Sequence, residues 1–355
     1  MDGYKYQQKK SKTVDREYYS LRSLLGNTWA RFYVLLGARE AGKSYAVMEH
    51  CLKEYVNEGK QFVWLRLTDA ERDKLLQNNG QSLIEGELRR KYGIDLYTRA
   101  GQCYNVLKRD EKGKILEKVP MCRVMSLSTF YSDKGNALYD PKELETFGKN
   151  IVLDEMNREG AARKTFDITD AFVNQMENLV RSSKEGYKVF LIGNTLEEAG
   201  DLLCCFEFIP EKFGRYYLRN KKCVMEYMPP SKKYLARRED SIADILAGNK
   251  STFTNKVETD LSLIYKGRLR KPLYVLAFKV GAEEQKFAVW DGNVICPYNK
   301  ENVKVVPMSP YMDKVYSKEL VERVIEMFDN RVFSFRNLIT QKTFKKYLAL
   351  LRPRK

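Results

Sequence analysis

One histidine, His50, stands in a chain of 355 residues, and that scarcity nearly eliminates His-dependent triads, multi-His metal sites and histidine acid/base relays. Any catalysis must draw on Lys, Arg, Asp and Glu, a palette that suits phosphoryl chemistry, where positioning and charge outweigh a base titrating near pH 7. Seven cysteines, at 51, 103, 122, 204, 205, 223 and 296, are odd in number and form no CxxC pair. Neither a disulfide scaffold nor a zinc cluster is indicated, and they read as reduced, mostly buried thiols. No apolar run approaches the ~18 residues of a membrane span, which excludes a membrane-embedded chain. The opening MDGYKYQQKKSK has no apolar h-region, so a cytosolic chain without a secretory signal is expected. Internal repeats and low-complexity tracts are also missing.

What is present fits an ordinary globular protein. At about 150 residues per domain the length predicts two domains, and 43% hydrophobic with 31% charged residues is an unexceptional composition. Charge is the unusual feature. Sixty-three Lys and Arg against 47 Asp and Glu give +16, which favours a polyanionic partner such as nucleic acid. From Pro229 to Lys355 there are 25 basic and 14 acidic residues, so the C-terminal third is the more concentrated basic surface.

Periodicity sets the expected order of elements. Residues from about Val14 to Gly26 read as a short helix, RFYVLL as a strand, Lys43 to Tyr55 as an amphipathic helix and QFVWLRL as a second strand. Asp69 to Lys91 reads as helical, CYNVLK and CRVMSLS as strands around the DEKGK turn, and NIVLDE as a buried strand. A helix from Asp167 to Ser183 and the strand KVFLIGNT follow. Such alternation predicts an α/β fold with a doubly wound parallel sheet. Beyond Pro229-Pro230, three strands with turns at GAEE and DGN precede helices near Ser317 to Phe328 and Thr340 to Leu351, predicting a smaller α+β domain. The expected division is an N-terminal domain over 1–200, a lid or linker over 201–235 and a basic C-terminal domain over 236–355.

Gly37-Ala38-Arg39-Glu40-Ala41-Gly42-Lys43-Ser44 fits the GxxxxGK[ST] phosphate loop between a strand and a helix. Gly37 and Gly42 permit the backbone turns that aim successive N–H groups at one concavity. Lys43 would reach the β and γ phosphates, and Ser44 would offer its hydroxyl to Mg²⁺. Tyr45, next in the helix, joins the expected nucleotide contacts. Ile151-Val152-Leu153 delivers Asp154 and Glu155 to a strand's C-terminal end, where a doubly wound sheet binds its ligand. Asp154 is expected to hold Mg²⁺ through its water shell and Glu155 to orient or polarise the attacking water, so ATP and Mg²⁺ are the expected cofactors. Asn194, ending LIGNT, is a candidate γ-phosphate or water sensor. Lys134, Arg158, Arg163, Arg181 and Lys184 are cations, any of which could act in trans across a subunit boundary.

GAREAGKSYA, QFVWLRL, LSTFYSDKGNA, NIVLDEMNRE and KVFLIGNT, in this order, resemble the genome-packaging ATPases of φ29-like tailed phages. The resemblance covers about Arg31 to Asn194 and extends weakly through YVLAFKVGAEEQKFAVWDG. It implies a ring-forming P-loop translocase of the additional-strand, conserved-Glu class, related to large terminases and FtsK/HerA pumps. By resemblance, Lys43 and Ser44 match the Walker A pair, Asp154 and Glu155 the Walker B aspartate and catalytic glutamate, and Arg66 the basic residue ending the strand after the P-loop helix. Arg39 resembles the family's GAR opening. Lys134 and Arg181 both fall where the family keeps trans-acting or coupling cations. The implied partners are double-stranded DNA, the portal of a procapsid, a structural packaging RNA and identical subunits in a ring, a pentamer, with no membrane. The implied location is the host bacterial cytoplasm, transiently docked on the procapsid. The second domain is expected to resemble an RNase H-type nuclease that has lost its activity, since the strand Tyr274 to Val280 carries no acid.

Overall fold

A computed structural model of the chain describes residues 7–9, 18–38, 40–128, 147–157, 167–180, 186–194, 201–210, 212–239, 241–242, 245, 262–280, 283–298, 304–308 and 315–352. The chain divides into two units, one formed by 1–206 and 210–258, the other by 207–209 and 259–355.

In the first unit β1 (Gln7–Lys9) and α1 (Arg22–Leu25) precede β2 (Phe32–Leu36), α2 (Lys43–Glu58) and β3 (Gln61–Arg66). Next come α3 (Asp69–Gly80), α4 (Gly86–Tyr92), β4 (Leu96–Arg99), β5 (Gln102–Arg109) and β6 (Ile115–Ser126). β7 (Phe147–Asp154), α5 (Ile168–Val180), β8 (Lys188–Gly193), α6 (Asp201–Cys205), β9 (Gly214–Leu218), β10 (Cys223–Tyr227) and α7 (Lys232–Arg238) complete it. The strands form one sheet in the order β1-β9-β10-β2-β8-β7-β3-β6-β5-β4. From β10 to β6 every neighbouring pair is parallel, while β9, β5 and β4 add antiparallel flanks.

The apolar runs explain the centre of this sheet. Val34 to Leu36, Ile151 to Leu153 and Val189 to Leu191 are buried, as strands covered on both faces require. Val47, Cys51 and Leu52 of α2 join Leu35, Phe62, Val152 and Phe190 in one core, each large side chain contributing about 1.5–3 kcal/mol by leaving water. β8 lies between β2 and β7, the additional-strand arrangement implied by the resemblance. Gly193 ends β8 where a Cβ would meet Leu36 Cδ2 and Met156 Cε at 3.0 Å, so the glycine lets these strand ends close up.

Three sequence readings are corrected. Helix Asp69 to Lys91 is broken, because Gln77 is extended and Asn78 and Asn79 are left-handed, so α3 and α4 are separate. Of the helix expected over Val14 to Gly26, only Arg22–Leu25 is helical among the described residues, which begin again at 18. Residues 214–227, expected in a lid or linker, are instead β9 and β10 of the main sheet, with Cys223 to Tyr227 paired to β2. They read as a lid or linker because nothing local announces a partner strand about 190 residues earlier in sequence.

In the second unit β11 (Pro272–Val280), β12 (Glu283–Trp290) and β13 (Val294–Pro297) form the expected antiparallel meander. β14 (Val305–Met308) and β15 (Ser334–Phe335), too short to announce themselves, extend it to the order β14-β11-β12-β13-β15, with α8 (Val315–Asp329) and α9 (Leu338–Leu351). Phe344 of α9 meets Phe278 at 5.4 Å and Phe287 at 5.2 Å edge to face, giving this unit its own aromatic core. Among the described residues no helix is long and apolar enough to cross a membrane.

Candidate nucleotide site

β2 delivers the glycine loop at the carboxyl edge of the sheet, and α2 begins immediately after it. Glu40 (φ +60) and Gly42 (φ +82) are left-handed, which turns the backbone into the helix, whose first N–H groups have no partner within the helix. A sixteen-residue helix opening here adds its partial positive charge. Lys43 is 5% exposed, and its ammonium donates to the carbonyls of Gly37 at 2.8 Å and Ala38 at 2.6 Å.

Beneath the loop, Ser44 Oγ donates to Asp154 Oδ1 at 2.8 Å. Asp154 ends β7, and burial pushes its carboxyl above the usual range, while Arg66 and the Ser44 hydroxyl pull it back in part. Arg66, at the end of β3, reaches Asp154 Oδ2 at 3.2 Å through Nη2 and Glu155 Oε2 at 2.6 Å through Nη1. Glu155 takes a left-handed φ of +58 and is 53% exposed, so it leaves the strand toward solvent while its carboxylate is held by Arg66. A serine hydroxyl and an aspartate oxygen in contact are hard donors suited to Mg²⁺, with phosphate and water oxygens completing the shell. Among the described residues no group of three or more His, Cys, Asp and Glu could hold a metal ion.

The structure thus brings together Gly37, Ala38, Glu40, Ala41, Gly42, Lys43, Ser44, Arg66, Asp154 and Glu155. Asn194 follows β8, and its carbonyl accepts from Asn157 Nδ2 at 3.4 Å. Tyr45 packs on the core and its hydroxyl lies against Glu87 of α4, so it faces α4 rather than the phosphate loop. Arg39, Lys134, Arg158, Arg163, Arg181 and Lys184 lie outside the described residues.

Sequence reasoning missed a second layer around the loop. Arg238 of α7 pairs with Glu40 Oε2 at 2.7 Å, and Arg237 donates to the Glu40 carbonyl at 3.2 Å. Tyr19 N–H donates to the Ala41 carbonyl at 2.8 Å, and its hydroxyl to buried Glu226 at 2.9 Å, which Arg215 also holds at 2.7 Å. Tyr18 packs against Gly42, where a Cβ would meet its own Cβ at 3.1 Å. The adjacent pair Arg237-Arg238 in a short helix after Pro229-Pro230 was the available signal, diluted by the general basicity of that region.

Comparison with known proteins decides the lineage. Residues 14–316 match the model of a family described as podovirus DNA encapsidation protein (Gp16). The chain belongs to that family. A DNA packaging protein of Bacillus phage B103 is 20% identical to this chain over 269 residues, 72% of this chain and 73% of that one. Two solved structures share the fold at 16% identity. One, of the bacteriophage Phi-29 viral genome packaging motor assembly, has a TM-score of 0.62 and covers 95% of this chain and 100% of its own. The other, of the Phi-28 gp11 DNA packaging motor, has a TM-score of 0.57 and covers 96% and 99%.

Proposed function

We propose that this chain is an ATP-hydrolysing motor that drives double-stranded DNA into a viral procapsid. The observation that carries the reading is the stacking of the phosphate loop, the Ser44–Asp154 pair and the Arg66-held Glu155 on adjoining strand ends. Bound MgATP would supply the phosphoryl group whose transfer to water releases the free energy. Loop N–H groups and Lys43 bind the phosphates, and Ser44 and Asp154 hold the ion. Glu155 orients and polarises water, with Arg66 fixing its carboxylate and preserving the negative charge of Asp154. Asn194 would sense the terminal phosphate. A cation from a neighbouring subunit, among Lys134, Arg158, Arg163, Arg181 and Lys184, completes the charge stabilisation, and Arg39 adds positive charge within the loop.

Identical subunits would assemble as a ring, a pentamer, docked on the portal of a procapsid in the cytoplasm of the bacterial host. Contact with DNA would be mostly to phosphates and thus tolerant of sequence. The boundaries we propose are a motor domain over 1–200 extended by β9, β10 and α7 to about residue 258, and a basic C-terminal domain that begins near 259 rather than at 236 and binds nucleic acid, DNA or a structural packaging RNA. That domain would be a nuclease-like sheet that has lost its activity: β11 carries no acid, and Glu283, Glu284 and Asp291 belong to the neighbouring strand and turn.

ATP turnover with and without double-stranded DNA tests the proposal on Glu155→Gln. A loss of about 10²- to 10⁴-fold with retained ATP binding is expected for removal of a residue that activates water. An unchanged rate would refute the catalytic assignment.

A further inference from the structure

We infer that the β4–β5 edge of the sheet carries a second anion site, a cavity built to seat the phosphates of a nucleic-acid backbone. The cavity measures 560 Å³, within the range of about 300–1,000 Å³ typical of ligand sites. Arg89, Arg90 and Arg109 line it together with Asn78, Asn79 and Asp95.

Its position separates it from the nucleotide site. β4 lies six strands from β2 in the sheet order, roughly 30 Å at ordinary inter-strand spacing. Arg109 pairs with Ile115, seven residues before Cys122, the partner of Phe62 near the start of β3. The cavity therefore lies toward the amino ends of the parallel strands, whereas the phosphate loop lies at their carboxyl ends.

The charge on its walls is not balanced internally. Arg109 forms a two-pronged pair with Asp95, Nε at 2.7 Å and Nη2 at 3.0 Å. Among the described residues no carboxylate pairs with Arg89 or Arg90, and Arg89 Nε is buried without a hydrogen-bond partner. Cations in the last turn of a helix are ordinary, because they favour its dipole. Here both guanidiniums line one cavity and neither is paired to a carboxylate among the described residues, so an anion entering it would meet charged donors not already taken.

The walls are also fixed in shape. Asn78, Asn79 and Gly80 are left-handed in succession, and a Cβ on Gly80 would come within 2.9 Å of Leu96 and Thr98, so β4 locks this turn. Gly93 N–H donates to the Arg89 carbonyl and closes α4 beside it. Residues 86–126 hold ten Lys and Arg against five Asp and Glu, so the positive surface continues beyond the cavity, which suits a polymer better than a small free anion. Choosing a nucleic acid as the source of phosphate rests on the motor reading above; the cavity itself does not.

Salt titrations of the full chain with short fluorescent duplexes, one DNA and one RNA, test this. Arg90→Glu, and separately Arg89→Ala, should weaken binding of at least one duplex by roughly tenfold and lower the slope of log affinity against log salt by about 0.9 for each phosphate no longer neutralised. Basal ATPase without nucleic acid and the thermal midpoint of Arg90→Glu should match wild type. Unchanged affinity and slope with both duplexes would overturn the site. So would inorganic phosphate binding by calorimetry that Arg89→Ala abolishes while both duplexes bind as before, because that pattern marks a small-anion site. Lys43→Ala should lose ATP hydrolysis and keep the wild-type duplex slope, so failure of the motor reading and failure of this site give different results.

Discussion

At the scale of single residues, the loop depends on backbone freedom as well as on its lysine. Gly42→Ala would place a Cβ at φ +82 and 3.1 Å from Tyr18 Cβ, a left-handed strain of about 1–2 kcal/mol, so weaker ATP binding and a lower thermal midpoint are expected by calorimetry. Lys43→Ala should abolish measurable ATP binding. His50 offers a separate test. Burial lowers its pKa to about 4 from 6.5, against the opposing pull of Glu54, whose Oε1 is 3.3 Å from Nε2. The unfolded chain then binds more protons between those two values, so stability falls as pH drops from about 6.5 to about 4, by up to about 3 kcal/mol. His50→Gln should flatten that limb in chemical denaturation across the same window. A limb of equal depth in the variant would assign the effect to other groups.

At the scale of elements, α3 starts on a complete capping box. Thr68 Oγ1 accepts from Glu71 N–H at 3.3 Å, and Glu71 Oε2 accepts from Thr68 N–H at 3.1 Å. Thr68→Ala should cost about 1 kcal/mol in urea unfolding without altering ATP binding. The start at Asp69, the glycine loop, the α2 stripe and the acids after Ile151-Val152-Leu153 were legible in the sequence, because each signal is local. Arg66 was reached only through resemblance, and the structure supplies its physical role: it sits where two neighbouring strands end, on β3 beside β7. What the sequence did not disclose depends on pairing at a distance. β10 lies against β2, Glu40 against Arg238, and Tyr19 against Glu226, contacts whose partners are separated by 190 residues or more. The break between α3 and α4 did carry a local signal, since Asn78-Asn79-Gly80 are residue types that readily take the left-handed backbone seen there, and the reading of one helix over Asp69 to Lys91 passed over it.

At the scale of the whole molecule, a net charge of +16 concentrated toward the C-terminus predicts strong ionic-strength dependence. Duplex DNA affinity of the intact chain should fall by about 10³-fold or more between 50 and 200 mM salt if six or more phosphates are contacted, measurable by anisotropy. A salt-independent affinity would rule out the backbone-dominated mode. Motion of DNA also requires that events at the phosphate loop reach the rest of the sheet, and α2 starts in the loop and packs on β3, β7 and β8. At its middle, His50 lies edge-on to Phe190 of β8 with ring centroids 5.6 Å apart, beside a Glu54 carboxylate that Lys188 and Asn150 each meet at 2.7 Å. Because no other imidazole exists in the chain, isotopic labelling of histidine alone would yield a single ring signature in a heteronuclear NMR spectrum. That lone resonance, shifted by the current of the Phe190 ring, would track the seating of α2 on β8 through a complete hydrolysis cycle, with no introduced probe and no assignment problem.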